Sequence, residues 1–267
     1  MIDYHLHTRF SPDGRQTLDE MCRAARAAGI GQVAVTDHVD SPDPRFVGTI
    51  FTIANPQAYI ESIDEARRRY PDIMIVRGLE LGYTPSGWEE ALRLRERIRP
   101  EFVIGSLHLA EGLDPYEARY FEGVTRQEAY RRYLIALRDA VPHMAGVCDT
   151  LGHLTYVTKF TPYEDGALDW DEEPELIDAI LRAALAAGLA LEINTSGYRR
   201  LGAPLPGLSI VRRFRELGGE FVTLGSDAHG AAHVGHRIRD AAQLARQAGM
   251  RYMLVVREDG PTPIPLP

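Results

Sequence analysis

Short apolar segments alternate with longer amphipathic segments along the chain. The apolar segments predict strands over residues 2–7, 32–36, 72–79, 102–107, 145–151, 189–193, 221–224 and 252–256. The amphipathic segments predict helices over residues 17–29, 56–70, 88–98, 126–140, 175–187, 208–217 and 236–248. Strand and helix thus alternate seven times, which indicates an α/β fold with a parallel sheet covered by helices. Seven such units favour a closed (β/α) barrel, with an open sheet as the alternative.

Three long loops separate some of these elements, at residues 39–55, 110–124 and 156–173. The tail carries prolines at 261, 263, 265 and 267, so it is expected to form neither a helix nor a central strand. No linker or change of composition divides the chain. We therefore expect a single domain over residues 1–267.

Composition excludes several classes of protein. The net charge of -8 disfavours binding to nucleic acid, which requires cations to neutralise phosphates. Two cysteines, Cys22 and Cys148, suggest no disulfide framework and fit a reducing compartment. Residues 1–20 lack the apolar region of a signal peptide, and no apolar run is long enough to span a membrane. The expected location is the cytoplasm, and no membrane partner is expected.

Polar side chains with metal-binding atoms follow the predicted strands. His5 and His7 are two residues apart, so on a strand they point to the same face. With them, the set comprises His5, His7, Asp13, His38, Glu80, His108, His153, Asp227 and His229. The carboxyl ends of barrel strands meet on one face, where such side chains converge. His143, His233 and His236 fall outside this pattern, and a role near the site for one of them stays open.

Nine candidate ligands exceed the four that one zinc ion takes, and they suit two or three divalent ions. Three such ions carry six positive charges, of which the carboxylates of Asp13, Glu80 and Asp227 remove three. A bridging hydroxide would reduce the remaining charge to two positive charges. Such a site attracts a phosphate dianion and lowers the pKa of bound water. The predicted chemistry is hydrolysis of a phosphate ester by in-line attack of metal-held hydroxide.

The motifs resemble those of the polymerase-and-histidinol-phosphatase (PHP) superfamily. They are H-x-H at 5–7, T-D-H at 36–38, Glu80, G-S-x-H at 105–108, G-H at 152–153 and S-D-A-H at 226–229. Two further segments, I-G-S-L-H at 104–108 and E-I-N-T-S-G-Y-R-R at 192–200, most resemble histidinol-phosphate phosphatases of the HisK/HisJ type. The resemblance implies a distorted (β/α)7 TIM-like barrel that holds three divalent metal ions. Zinc, iron and manganese all remain open.

The resemblance also implies how the ligands divide. One metal would take His5, His7, Glu80 and Asp227. A second would share Glu80 and add His108 and His153, and a third would take Asp13, His38 and His229. Some members of the superfamily have a histidine where Asp13 stands, which leaves the third metal's identity open.

Other residues are candidates for substrate contacts. Lys159 is the single lysine among 30 basic residues, and together with Arg199 it is expected to hold phosphate oxygens. Arg200 is a weaker candidate than Arg199. Asp114, Tyr116 and Tyr120 are candidates for the rest of the substrate, although loop packing explains them equally well. Asp37, Asn194 and Ser226 are expected to support the metal ligands by hydrogen bonds. Asp227 or a metal-bound water would protonate the leaving alkoxide.

The function implied is hydrolysis of L-histidinol phosphate to L-histidinol and phosphate, a step of histidine biosynthesis. The same site acting on another small phosphate ester, a nucleotide or an oligonucleotide end is the alternative. A non-enzymatic module that binds metal for structure is a third hypothesis, which the complete ligand set disfavours. The sequence leaves open whether the protein is a monomer or a homo-oligomer.

Overall fold

A computed structural model of the chain describes residues 1–40, 45 and 51–267. The strands are β1 Ile2–Leu6, β2 Gln32–Val35, β3 His38–Asp40, β4 Met74–Gly82, β5 Phe102–Ser106, β6 Thr150–Leu151, β7 Ala190–Asn194, β8 Phe221–Gly225, β9 Tyr252–Arg257 and β10 Gly260–Pro265. The α-helices are α1 Leu18–Ala27, α2 Pro56–Arg69, α3 Trp88–Ile98, α4 Arg126–Ala140, α5 Pro174–Ala186, α6 Leu208–Glu216 and α7 Ile238–Gln247. The seven predicted strand–helix units are all present.

The sheet runs in the order β1-β2-β4-β5-β6-β7-β8-β9-β10, and β3 pairs beside β4. Its pairs are parallel except β9 with β10. The first and last strands of the seven units meet where Leu6 bridges Ala228, just past β8. The His7 amide donates to the Ala228 carbonyl at 2.9 Å. At its amino end, β8 pairs with β9 rather than with β1. The sheet therefore curls into a barrel in which β1 and β8 are joined only near their carboxyl ends. The predicted TIM-like α/β fold is confirmed in this distorted form.

Local signals fix where the helices begin. The Thr17 hydroxyl accepts from the Glu20 amide, and the Thr17 amide donates to the Glu20 carboxylate, which together form a capping box. Thr125 and Glu128 repeat the arrangement before α4. Because these caps satisfy amides that lack a partner within the helix, the sequence sets the start of both helices.

The strands differ from the prediction at three places. The loop expected over residues 39–55, part of which lies outside the described residues, begins with β3, which pairs with the end of β4. β4 itself continues through Glu80 to Gly82. The strand expected over residues 145–151 is only Thr150–Leu151, because Gly146 adopts a left-handed turn with φ 69°. Pairing of β3 with β4 places His38 directly beside Glu80.

The proline-rich tail forms the edge strand β10, which is antiparallel to β9. Prolines at 261, 263 and 265 alternate with residues that keep an N–H group, and Leu266 donates to the Arg251 carbonyl at 3.0 Å. Proline is tolerated here because an edge strand needs only every second amide for its ladder. The tail is thus neither helix nor central strand, as expected.

The core lies between the barrel and its helices, and it is continuous from Tyr4 and Phe102 to the helix faces. Tyr59 of α2 is fully buried, and its hydroxyl donates to the carbonyls of Val35 and Gly78, both at 2.9 Å. Cys22 and Cys148 are buried free thiols, as expected without a disulfide framework. In the described part of the chain, no helix has both the length and the apolar character to cross a membrane.

Candidate metal centre

Glu80 is the centre of the polar cluster at the carboxyl ends of the strands. It is fully buried at the end of β4, and Ser106 donates to its Oε1 at 2.7 Å. Five imidazole nitrogens surround its two oxygens: His153 Nε2 at 2.8 Å, His38 Nδ1 at 3.0 Å, His5 Nε2 at 3.2 Å, His108 Nε2 at 3.2 Å and His7 Nε2 at 3.5 Å. Side chains from four strands and their loops therefore meet at one carboxylate.

Asp227 forms the second carboxylate of the cluster. Its Oδ1 lies 3.4 Å from His7 Nε2, and its Oδ2 accepts from Lys159 Nζ at 2.5 Å. The residue has a φ of 51°, in the left-handed region that non-glycine residues seldom adopt. Hydrogen bonds of the flanking amides hold it there, from Ser226 to the Asp3 carboxylate at 2.8 Å and from Ala228 to the His5 carbonyl. Backbone strain maintained in this way is characteristic of functional sites.

Asp13 and His229 lie toward the solvent side of the cluster. His229 Nε2 is 2.8 Å from Asp13 Oδ2, and His38 Nε2 is 3.8 Å from the same oxygen. The rings of His7 and His229 are stacked with centroids 4.0 Å apart. Asp13 keeps 38 % of its side chain exposed, so this end of the cluster opens to the cavity. All nine predicted ligands thus lie in one place.

Several buried atoms of the cluster have no hydrogen-bond partner of acceptable geometry within the described residues. They are His5 Nε2, His7 Nε2, His38 Nδ1, His153 Nδ1 and Glu80 Oε2. Burying such atoms unsatisfied is costly, and a coordinated cation removes the cost. Sets of three ligand atoms lie within 4.8 Å of one another in five combinations, including His5–His7–Glu80, Glu80–His108–His153 and His7–His38–His229. The donor set of nitrogen and carboxylate oxygen suits zinc, iron or manganese.

The cluster pairs ionised carboxylates with imidazoles whose pKa values are shifted in both directions. Although burial opposes the shift, neighbouring carboxylates raise the pKa of His5, His38 and His108 above the usual value. Burial lowers the pKa of His7 well below its usual value, and it also lowers the pKa of His153. Burial alone would raise the pKa of Glu80, but the charges of His5, His108 and His38 bring it well below its ordinary range. Lys159 and His5 likewise outweigh burial at Asp227 and lower its pKa. The carboxylates are therefore ionised, and two imidazoles are neutral.

Glu192, on β7, is a site residue that the sequence reasoning missed. Its Oε1 lies 2.6 Å from His5 Nδ1, and its Oε2 accepts from the His153 amide at 2.7 Å and from Asn194 Nδ2 at 3.2 Å. Gly225 makes room for it, because a Cβ there would lie 2.6 Å from Oε1 and 2.4 Å from His5 Cβ. A charged residue inside the apolar segment at 189–193 was the available signal. The contact with Nδ1 orients the His5 imidazole toward Glu80, and the bond to the His153 amide fixes the backbone that carries the second imidazole.

We expect Glu192→Gln to lower affinity for divalent metal by about 10- to 100-fold, the usual effect of losing a carboxylate that orients a histidine ligand. Titration of the metal-depleted protein with Zn²⁺ or Mn²⁺ measures this change. Glu220→Gln, an exposed carboxylate before β8, is the matched control. Equal affinity in the two variants would contradict the role given to Glu192.

Asp37 supports the cluster indirectly. It is fully buried and accepts from the Thr8 amide and from Ser11 Oγ, both at 2.7 Å. Ser11 Oγ in turn accepts from the His38 amide at 3.0 Å. Burial raises the pKa of Asp37 to about 6, although its hydrogen bonds act in the opposite direction. Its carboxylate thus organises the 8–11 loop beside His7 and His38.

Asp40 is a second residue that sequence reasoning missed. Its Oδ1 lies 2.8 Å from His108 Nδ1, and its side chain lies close enough to His38 and His108 to complete a three-ligand set. Gly82 permits this approach, because a Cβ at that position would lie 1.9 Å from Asp40 Oδ1. The sequence assigned Asp40 to a loop, whereas its position on β3 directs it at His108.

A cavity of about 490 Å³ opens above the cluster. One wall carries the candidates for substrate contacts: Asp114 is buried and accepts from Tyr156 at 3.2 Å, while Tyr116 is 65 % exposed with its ring against Phe160. Lys159 also lines the cavity, above Asp227. This wall therefore combines aromatic rings, a carboxylate and an ammonium group.

The two adjacent arginines separate as expected. Arg199 lines the cavity, and its guanidinium donates to the carbonyls of Ser226 at 3.4 Å and Asp227 at 3.3 Å. Arg200 is exposed and does not line the cavity. The expectation for Tyr120 is wrong, because Tyr120 is fully buried in the core with its hydroxyl on the Ala129 carbonyl. The bond to Ala129 and the Arg132 guanidinium over its ring hold Tyr120 against α4 rather than in the cavity.

Comparison with known proteins agrees with this geometry. The family model described as PHP domain matches residues 3–196. A histidinol-phosphatase of Lactococcus lactis is 31% identical over 254 residues, which cover 94% of this chain and 93% of that protein. A "Probable histidinol-phosphatase" of Deinococcus radiodurans is 32% identical over 94% of this chain and 95% of its own.

A solved structure covers the whole architecture. The crystal structure of the Lactococcus lactis histidinol phosphate phosphatase HisK, complexed with zinc, L-histidinol and phosphate, superposes with a TM-score of 0.86 at 29% identity. The match covers 98% of this chain and 98% of that one. The family model covers the seven ligand candidates from His5 to His153, the relatives and the superposition extend over nearly the whole chain, and the chain therefore belongs to the PHP domain family.

Proposed function

We propose that the protein is a metal-dependent phosphomonoesterase that hydrolyses L-histidinol phosphate to L-histidinol and phosphate. The observation that carries the proposal is the carboxylate of Glu80, surrounded by five imidazoles at the floor of a cavity that also holds Lys159 and Arg199. The similar Lactococcus lactis structure, which contains zinc, L-histidinol and phosphate, supports the choice of substrate.

The nine clustered side chains are proposed to hold three divalent ions. His5, His7, Glu80 and Asp227 form one set; Glu80, His108 and His153 form the second; and Asp13, His38 and His229 form the third. When bound, the ions supply Lewis acidity that makes water a nucleophile near neutral pH and offsets the charge of the phosphate. Glu192 and Asp40 hold His5 and His108 in position from behind.

The chain's own cations complete the phosphate site. Lys159 is held at the cluster by Asp227, and Arg199 is held by two carbonyl groups, so both are oriented before the substrate arrives. Donors fixed in advance at the place where negative charge develops stabilise the transition state. Asp227 is the proposed catalytic carboxylate, because Oδ1 faces His7 while Oδ2 contacts a proton donor. This carboxylate, which is ionised at rest, is proposed to take a proton from the attacking water and to pass it to the leaving alkoxide, so that water and ester yield alcohol and phosphate.

Other residues that line the cavity suit the rest of the substrate. L-histidinol phosphate ends in an amino group and an imidazole, which favour a carboxylate and aromatic rings as neighbours. Asp114, Tyr116 and Phe160 supply these groups within the same cavity. We therefore propose Asp114 and Tyr116 as substrate contacts, and we assign no contact to Arg200.

The proposal is tested by phosphate release from a panel of esters with the metal-loaded protein. We expect kcat/KM for L-histidinol phosphate to exceed that for AMP and for an oligonucleotide 3′-phosphate by on the order of 100-fold or more, because those substrates lack the ammonium group that matches Asp114. A preference for either nucleotide substrate would support the alternative substrate class. Release of phosphate from none of the esters would exclude phosphatase activity.

A further inference from the structure

Three of the described residues that line the cavity, Arg15, Arg199 and His233, can donate hydrogen bonds to an anion and have no carboxylate partner among the described residues. Arg15 follows Asp13, and its amide donates to the His229 carbonyl at 3.1 Å, which places the residue beside the cluster. Its guanidinium makes no hydrogen bond or ion pair that the described residues reveal. Arg199 donates only to carbonyl groups, and His233 has no hydrogen bond from its ring in the same part of the chain. All three line the cavity.

The carboxylates of the cavity do not compensate these groups, because each is engaged elsewhere. Asp13 contacts His229, Asp40 contacts His108, Glu80 contacts five imidazoles, Asp114 accepts from Tyr156, and Asp227 accepts from Lys159. Asp13 is the acidic residue nearest in sequence to Arg15, yet no ion pair joins the two within the described chain. Among the residues that the structure describes, Arg15 and Arg199 thus leave an excess of positive charge at the cavity.

The pKa of the neighbouring His233 is affected by this positive charge. Burial lowers the pKa of His233, and the positive charges of Arg199, His236, His229 and Arg15 lower it further. No carboxylate contributes among the causes of this shift. The neutral His233 ring can still donate one hydrogen bond, while the Arg15 guanidinium presents a planar pair of donors that matches a carboxylate.

We propose that Arg15 and His233 form a second anion subsite at the mouth of the cavity, and that the enzyme therefore also hydrolyses phosphate monoesters whose alcohol carries a carboxylate. The inference rests on the proposed phosphatase function, with Arg199 and Lys159 reserved for the phosphate that is cleaved. L-Histidinol phosphate has no second anion, so the subsite widens the substrate class rather than serving that reaction. Phosphorylated hydroxy acids are the class that fits.

The test uses two esters that differ by one carboxylate, 3-phosphoglycerate and glycerol 3-phosphate. We expect the wild-type protein to favour 3-phosphoglycerate. Arg15→Ala should lower kcat/KM for 3-phosphoglycerate by about 10- to 100-fold, chiefly by raising KM, because a charge-assisted hydrogen-bond pair is lost. Glycerol 3-phosphate should be affected little. His233→Ala is the second variant, with a smaller effect in the same direction, and Arg212→Ala, an exposed arginine of α6, is the matched control.

The possible results of this test lead to different conclusions. Equal losses for both esters in Arg15→Ala would mean that Arg15 binds the reacting phosphate, and the subsite proposal would be overturned. An unchanged ratio of kcat/KM between the esters in both variants would overturn it as well. Failure of the wild-type protein to release phosphate from L-histidinol phosphate would instead overturn the proposed function itself.

Discussion

Replacing Glu80 by Gln is expected to lower kcat/KM for L-histidinol phosphate by about 1000-fold or more. The substitution keeps the shape of the side chain but removes the charge that five imidazoles surround within 3.5 Å. Two of the proposed metal sets share this carboxylate, so its loss weakens both at once. Removing one member of a group of residues that act together in catalysis lowers activity by factors of this size.

Metal content distinguishes the cause of that loss. Elemental analysis of Glu80→Gln, purified without chelator, should show fewer bound ions than the wild-type protein, while Glu220→Gln should match the wild type in metal and activity. Circular dichroism checks that the variant is folded, because an amide in a buried cluster of imidazoles can lower the free energy of unfolding. A folded Glu80→Gln protein with full metal content and full activity would refute the central role of this carboxylate.

Removal of metal by a chelator is expected to abolish phosphate release, and addition of Zn²⁺, Mn²⁺ or Fe²⁺ should restore it. The metal-free protein should also be less stable, by about 4 kcal/mol for each ion lost, relative to protein held at a metal concentration 1000 times the Kd of that ion. For a chain of this size, that difference corresponds to a fall in Tm of roughly 10 °C. The physical reason is that removal leaves buried imidazole and carboxylate atoms unsatisfied, including those of His5, His7 and Glu80.

The two readouts are measured on the same sample, with elemental analysis to show that the metal has been removed. A protein carried through the same treatment and then resupplied with metal controls for irreversible unfolding. Undiminished activity in protein shown to be free of metal would end the metal-dependent mechanism. An unchanged Tm would show that the cluster is satisfied without ions, contrary to the geometry of His7 and Glu80.

Much of the site was predictable because parallel strands end at one face of the barrel. Any ligand-type residue at a strand's carboxyl end is therefore brought near the others, whatever its distance along the chain. This rule placed His5, His108 and His153 together, and the structure has all three around Glu80. It needed only the positions of apolar segments and of the polar residues that follow them.

The rule failed for residues that support the site from within or beside strands. Asp40 was assigned to a loop, because three residues of β3 are too short to show an apolar pattern. Glu192 points into the barrel from the middle of an apolar strand, where its carboxylate contacts His5 Nδ1, the His153 amide and Asn194 Nδ2. Such pairings depend on which side chains face each other across the barrel. The spacing of apolar residues along the chain contains no information about this.

By itself, the sequence determined the order of the elements, the class of fold and the kind of atoms gathered at the site, since these follow from local periodicity and residue type. Only the tertiary structure decided which cations face the cavity. Arg199 and Arg200 are chemically identical neighbours, but the turn after β7 directs one of them at the cluster. Lys159 meets Asp227 across 68 residues because the barrel joins their two loops, and a contact of that range exists only once the chain has folded.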